Sequence, residues 1–409
     1  MSVWRVGLIL AVIPLSSMSE DIAVKLRAIP EYHGERADSP FAISNGQTAL
    51  GRDQATGELE LRAKPWDVNL VATGRGFKRE GQDTNSKLVL NELYYDTTLA
   101  GQRAGLGKKI MSWDVGFGFR PLDVIQQEDR RAIFTTTLEG IPYVSWERFG
   151  EQDAWMMVLA NPWNNQEREA RDDRSIALKY YKRTEATDWH AVVRASRRYR
   201  WESGVAFSRV LGESTEVHAS ALYQRRYEKN INSLAGQNAT ILASSDPVKT
   251  RTVHDGYKAL AGFTWTSAGG WSLIGEAWYD ASAYTQAEWE ALAALTRAQL
   301  SLQDMSGVPP GSIEGNIAWS AQAFNRPNLL RENMLIRLSH RGTSGATDPA
   351  LDLLITPPDG GWVATASASY EDDRFRLDAG YRVFGGPKDS AYRLLPEDRV
   401  AYLALEISF

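Results

Sequence analysis

The chain has no cysteine among its 409 residues, so neither a disulfide framework nor a thiolate metal site can form. Its five histidines, His33, His190, His218, His254 and His340, lack the close spacing of a ligand set, and no metal and no cofactor is expected. Long apolar runs are missing too. The one apolar run, Val6 to Leu15, is roughly ten residues, about half of what a membrane-crossing helix needs. Basic residues are not in excess: 46 Lys and Arg against 51 Asp and Glu leave a net charge of -5, which argues against a nucleic-acid partner. Only 43% of residues are hydrophobic, and the mean hydropathy is negative. That excludes a helical membrane bundle and leaves strands as the means of insertion, because a membrane strand needs apolar residues only at alternate positions.

What is present fits export and strands. Met1-Ser-Val-Trp-Arg5, the apolar run and Ser17-Met-Ser19 have the order of a secretory signal peptide, so residues 1–19 are expected to be removed and the mature chain to be one domain, 20–409. Fourteen Trp and sixteen Tyr would supply aromatic girdles at two membrane interfaces. The last ten residues place Ala401, Leu403, Leu405, Ile407 and Phe409 on one face and smaller or polar groups on the other. Trp362 to Tyr370 and Arg374 to Val383 alternate as cleanly and are joined by the polar turn Glu371-Asp-Asp373. Tyr257 to Thr266 and Trp271 to Ala281 form another pair, joined through Ser267-Ala-Gly-Gly270, where glycine reaches positive φ cheaply.

Cut this way throughout, the sequence predicts strands near 21–32, 58–64, 68–77, 87–97, 103–113, 141–149, 153–161, 175–184, 188–197, 201–211, 215–228, 257–266, 270–284, 329–340, 349–357, 361–371, 374–385 and 399–409. The expected fold is an all-β transmembrane antiparallel barrel of about 18 strands, with short periplasmic turns and long extracellular loops. Merging the pair around Lys64-Pro-Trp-Asp67 or the pair around Arg341 to Asp348 would give 16. A barrel of either size has a water-wide lumen. Lys179, Arg183, Arg194, Arg226, Arg337, Arg374, Arg376 and Arg382, with Glu92, Asp96, Glu276, Asp280 and Asp378, fall on inward positions, since charge facing lipid would cost several kcal/mol. They would form either a self-paired solvated wall or a transverse field that selects solutes.

Two connections carry patterns of their own. Residues 114–140 mix Phe117, Phe119, Leu122, Val124 and Ile125 with Arg120, Asp123, Glu128, Asp129, Arg130 and Arg131, which suits either a segment folded into the lumen as a constriction or a cap outside it. Gln286 to Leu300 is rich in helix formers, with Trp289, Leu292, Leu295 and Leu300 near helical spacing, and predicts an extracellular helix over the pore that ends before Gly307-Val-Pro-Pro-Gly311. The region Asn91-Glu-Leu-Tyr-Tyr-Asp96, Gly107-Lys-Lys-Ile-Met-Ser-Trp-Asp114 and Gly116 to Arg131 resembles the strand-strand-loop signature of a poorly characterised porin-like outer-membrane family. In that family a glycine-rich strand bearing a basic residue and a Trp leads into a loop with an Asn-Pro-Asp or Pro-x-Asp element. Gly107, Lys109, Trp113, Pro121 and Asp123 match, and Arg120 stands where the family has Asn. The resemblance implies a porin-like channel, and Lys109, Arg120 and Asp123 are expected to line its pore or constriction.

The expected function is passive passage of small polar, anionic or amphiphilic solutes, with no catalytic residues. The expected surroundings are outer-membrane lipid and lipopolysaccharide, and the strand ending in Phe409 resembles the signal read by the bacterial barrel-assembly machinery. The same strands would serve an export conduit joined to an inner-membrane transporter. His218-Ala-Ser220 resembles the His-x-Ser spacing of an outer-membrane lipid deacylase, the enzymatic alternative.

Overall fold

The computed structural model describes residues 22–42, 52–128, 138–163, 173–237, 241–303, 305, 307–342 and 347–409. The leader expected at residues 1–19 lies outside them. Before the connection 110–140 come β1 (Ile22–Glu35), β2 (Gln54–Ala63), β3 (Val68–Arg79), β4 (Asn85–Leu99) and β5 (Gln102–Lys109). After it come β6 (Ile141–Phe149), β7 (Asp153–Ala160), β8 (Ser175–Thr184), β9 (Thr187–Ser196) and β10 (Arg200–Leu211). Then follow β11 (Thr215–Asn232), β12 (Val248–Thr266) and β13 (Trp271–Asp280). Two helices, α1 (Gln286–Leu300) and α2 (Pro310–Ala321), separate these from the last strands. The last are β14 (Glu332–His340), β15 (Thr347–Thr356), β16 (Gly361–Glu371), β17 (Phe375–Gly385) and β18 (Glu397–Ser408).

All 18 strands form one antiparallel sheet, and β1 closes it by pairing with both β2 and β18, Leu26 lying opposite Ile407 and Leu59. The barrel therefore has 18 strands and not 16. At Lys64-Pro-Trp-Asp67 the chain reverses, with Trp66 and Asp67 at φ 49° and 63°, and β14 and β15 are likewise separate strands. Each side of the sheet follows the alternation. Along β18, Val400 and Ala404 are buried while Leu403 and Leu405 are exposed; along β9, Val192 and Arg194 are buried while Trp189 and Val193 are exposed. Rows of exposed large apolar residues over a charged interior are the reverse of a soluble barrel and suit lipid outside. Aromatic pairs belt this surface: Trp155–Tyr180 and Trp189–Phe207 near the short-turn end, Trp201–Tyr223 and Tyr257–Tyr279 near the loop end, with ring centroids 4.3, 5.4, 4.9 and 4.9 Å apart.

Closure is tied on the inside by charge. Lys25 and Arg27 on β1 meet Glu406 of β18 at 2.7 and 2.6 Å, and Arg27 reaches Glu58 of β2 at 3.3 Å. Arg75 of β3 continues the row to Glu58 at 2.7 Å.

Over the loop end lies a lid. Thr285 and Glu288 form a capping box at the start of α1, satisfying amides that would otherwise lack partners. Trp289, Leu292, Ile313, Ile317 and Phe324 pack onto Val363, Phe384 and Val400, lumen-side residues at the rim of β16, β17 and β18. The second helix was not expected: Pro310, read as an ending, occupies the first turn of α2, where a missing N–H costs nothing.

Candidate functional site

At the end of β5 the wall gives way to a segment folded into the lumen. Two residues before that end Gly107 sits at φ 131°, and a Cβ there would lie 2.2 Å from the Leu93 carbonyl, so this position of the strand requires glycine. Beyond Lys109 the backbone stops pairing along the strand, four residues short of the expected Trp113, because new acceptors take its amides. Ile110 N–H donates to Glu92 at 2.9 Å and Met111 N–H to Gln126 at 3.0 Å. The segment then closes on itself through two aspartates. Asp123 accepts from the Ser112 hydroxyl at 3.0 Å, the Asp114 amide at 3.1 Å and the Trp113 amide. Asp114 accepts in turn from the amides of Val115 and Leu122 and from the Ser220 hydroxyl of β11, the last at 3.2 Å. Burial raises both carboxyls above the ordinary aspartate value, and these amide donors work against it.

Two anchors fix the segment across the barrel. On one side Met111, Trp113, Leu122 and Ile125 pack against Val158, Ala177, Val192 and Ala206, inward residues of β7 to β10. On the other, the buried Glu276 carboxylate of β13 accepts the amides of Phe117 at 2.6 Å and Gly118 at 2.7 Å, and also faces His218 Nε2 at 2.9 Å. Phe119 stacks on Trp278, with centroids 5.9 Å apart.

Between this segment and β1 and β14 to β18 remains a cavity of about 870 Å³. One part is apolar, with Phe324, Leu329, Leu335, Leu354 and Phe384; the other is charged, with Arg27, Arg337, Arg376, Arg382, Asp352, Asp378 and Glu406. The charges are mostly paired across or along strands. Arg337 holds both Asp352 oxygens at 2.7 and 2.8 Å, and Arg376 holds Asp378 at 2.9 Å.

Of the expected site residues, Glu128, Arg337 and Arg376 line the cavity. Lys109 lies 3.6 Å from the Asp96 carboxylate and 4.4 Å from the Tyr94 ring. Arg120 and Asp123 belong to the internal knot, Arg120 donating to the Gly116 carbonyl at 2.8 Å. Lys179 lies 5.7 Å from the Trp113 ring. Arg183 shares its row but is exposed at the short-turn end. Arg194 is buried in the wall between Asp173 and Glu202, at 2.9 and 2.7 Å. Arg226 departs from its expected place. At Arg225 and Asp255, the latter at φ 61°, the buried row of β11 switches from Gln224 to Tyr227 and Lys229, so Arg226 leaves the inward row. Asp129, Arg130 and Arg131 lie outside the described residues. Sequence reasoning missed Asp114, Asp352 and the seam of Lys25, Arg27, Glu58 and Glu406. The strict alternation of charge in Lys25, Arg27 and in Glu58, Glu60 was the signal that could have found the seam.

His218 and Ser220 both face inward, but each has its own acid, Glu276 and Asp114, and both secure the lumen segment. Among the described residues no cluster of His, Asp and Glu could hold a metal ion.

No protein-family model matches the chain, and no curated protein sequence does. Solved structures do. The outer membrane protein OpdK from Pseudomonas aeruginosa superposes with a TM-score of 0.51 at 8% identity, over 96% of this chain and 100% of that one. The chain has the fold of an outer-membrane porin. OccK8 (OprE) of the same organism gives 0.50 at 9% identity, over 95% and 98% of the two chains. Wzi of Escherichia coli, a carbohydrate-binding barrel involved in group 1 capsule assembly, gives 0.51 at 10% identity, over 95% of this chain and 84% of that one. At these identities the likeness is one of architecture.

Proposed function

We propose that this protein is an outer-membrane channel of a Gram-negative bacterium, exported with residues 1–19 removed, that passes small polar, anionic or amphiphilic solutes passively. One observation carries the reading: the lumen segment leaves an off-centre cavity of about 870 Å³ whose wall is apolar in one part and charged in the other. Such a wall offers a solute's apolar body a surface and its charged group a set of oppositely signed partners, while a transverse field orders water between them. The porin-like fold supports the location, and OpdK, which has been crystallised with vanillate, supports the solute size. Lipid and lipopolysaccharide would cover the exposed apolar rows, and the strand ending in Phe409 would present the chain to the barrel-assembly machinery. A partner transporter in the inner membrane has no feature of the described residues in its favour.

Single-channel recording of the refolded mature protein in a planar bilayer tests this reading. Steps of defined conductance are expected, and they should grow when residues 116–131 are deleted. A silent membrane for both proteins would overturn the channel.

A further inference from the structure

Away from the lumen, a smaller cavity of about 130 Å³ lies beside the lid, where the end of α2 and the 3-10 turn Gln322–Asn325 meet the outer ends of β11 and β12. Tyr284 and Trp319 line it together with the exposed Asn230, Gln322 and Asn325 and with Arg326. These polar groups are only partly committed. Arg326 donates through one nitrogen to the Ser282 carbonyl at 2.8 Å and lies 5.6 Å from the Tyr284 ring, and it has no ion pair among the described residues. Gln322 donates to Asp246 at 3.2 Å and Asn230 accepts from the Thr250 hydroxyl at 2.9 Å, and among the described residues the Gln322 oxygen and the Asn230 NH2 group make no other hydrogen bond. The Asn325 amide has no hydrogen bond among the described residues.

A cavity of this size holds several waters or one small ring. Its chemistry is more specific than its size. Spare amide donors and acceptors match a ring of hydroxyl groups, aromatic carbon matches the ring's C–H face, and an unpaired guanidinium matches a carboxylate, which its planar fork can hold by two N–H groups. We propose that this pocket binds a single acidic sugar residue, a pyranose bearing a carboxylate, at the junction of the lid with the outer ends of β11 and β12. The site is separate from the lumen cavity, and its occupancy does not depend on the channel reading.

The test uses the full refolded chain in detergent micelles, with saturation-transfer NMR and calorimetry. The probes are glucuronate, glucose and an acidic oligosaccharide released from lipopolysaccharide. Glucuronate is expected to bind roughly 10-fold or more tightly than glucose, the worth of one charge-assisted hydrogen-bonded pair. Arg326→Ala should abolish that preference, and Asn325→Ala should weaken both sugars; heat-modifiable migration on gels verifies that each variant is folded. Tighter binding of the oligosaccharide would assign the site to surface glycan, and equal binding would assign it to a free sugar acid. Absence of glucuronate binding by the unmodified protein, or a preference for glucuronate that survives Arg326→Ala, would overturn the proposal.

Discussion

Replacing Glu276 by alanine should loosen the lumen segment while leaving the barrel closed. The carboxylate is buried and accepts two backbone amides, Phe117 at 2.6 Å and Gly118 at 2.7 Å, with His218 Nε2 at 2.9 Å on the same oxygen as Phe117. Hydrogen bonds to a charged acceptor contribute about 1.5–3 kcal/mol each, so losing two costs about 3–6 kcal/mol. Water entering the vacated space restores part of that, which makes about 3 kcal/mol the working figure. At 1.4 kcal/mol per factor of ten, the ratio of released to docked segment should rise roughly a hundredfold. The stack of Phe119 on Trp278 remains and holds the segment for part of the time. Hydrogen exchange followed by mass spectrometry reads the change directly, as faster exchange in residues 115–120 with the strands unaltered. Glu276→Gln, which keeps one acceptor oxygen, should give an intermediate rate. In bilayers the alanine variant should show larger, flickering steps. Unchanged exchange in residues 115–120 would refute the anchoring role, whatever the conductance does.

Further outcomes follow from other contacts. Arg337→Ala removes the cation hydrogen-bonded to Asp352 and should move the reversal potential in a potassium chloride gradient toward cation preference, whereas Asp352→Asn should move it the other way; shifts of one sign for both would contradict the paired-charge wall. In the lid, burial works to raise the Glu288 carboxyl, but the Lys229 ammonium and the Thr285 amide outweigh it, so its pKa lies below the ordinary glutamate value of 4.5. A carboxyl lowered in the folded state stabilises above its unfolded pKa and loses that contribution as pH falls through the folded one. Exchange in α1, corrected for its intrinsic pH dependence, should therefore speed up only below about pH 4.5, and Glu288→Gln should remove the dependence. Thr285→Ala should destabilise the lid helix by about 1 kcal/mol, read from the same exchange data. Leu403→Arg puts charge on the lipid face and should cost about 2–4 kcal/mol if the position lies near the midplane, measured by urea unfolding in lipid vesicles. Tyr402→Arg, on the lumen row, should cost much less.

The barrel was legible because membrane strands obey one strong rule. Every second residue must satisfy lipid, so alternation survives in segments as plain as Trp362 to Tyr370, and all 18 strands were found near their observed positions. Boundaries slipped where that rule lapses. The β11–β12 hairpin runs past the lipid, so its alternation is no longer enforced there, and β12 begins at Val248 and not near 257. The same freedom lets the row at Arg225 and Asp255 change sides, which removed Arg226 from the lumen. Pro310 was misread because the residue that forbids a helix interior is well suited to a helix start, and sequence alone does not show which side of it the helix lies on.

The lumen was harder to read for a related reason. Alternation says that a charged residue points inward, but an inward charge can face water, pair with the wall or bind a folded loop. Glu276 and Arg337 fall on equivalent inward positions, yet one is spent on the amides of Phe117 and Gly118 while the other lines the cavity. The difference is set by a loop whose path rests on Asp114 and Asp123 closing a knot, and neither belongs to the periodic pattern. A segment that supplies its own carboxylate acceptors can leave the wall at Lys109 without stranding its amides. Once it has crossed the lumen, the wall carboxylate of Glu276 takes the amides at its tip, beside the stack of Phe119 on Trp278. The charge inside this barrel therefore does two kinds of work, and substitutions should separate them: wall carboxylates that meet backbone amides should control the segment's docking, and those that meet arginines should control ion preference.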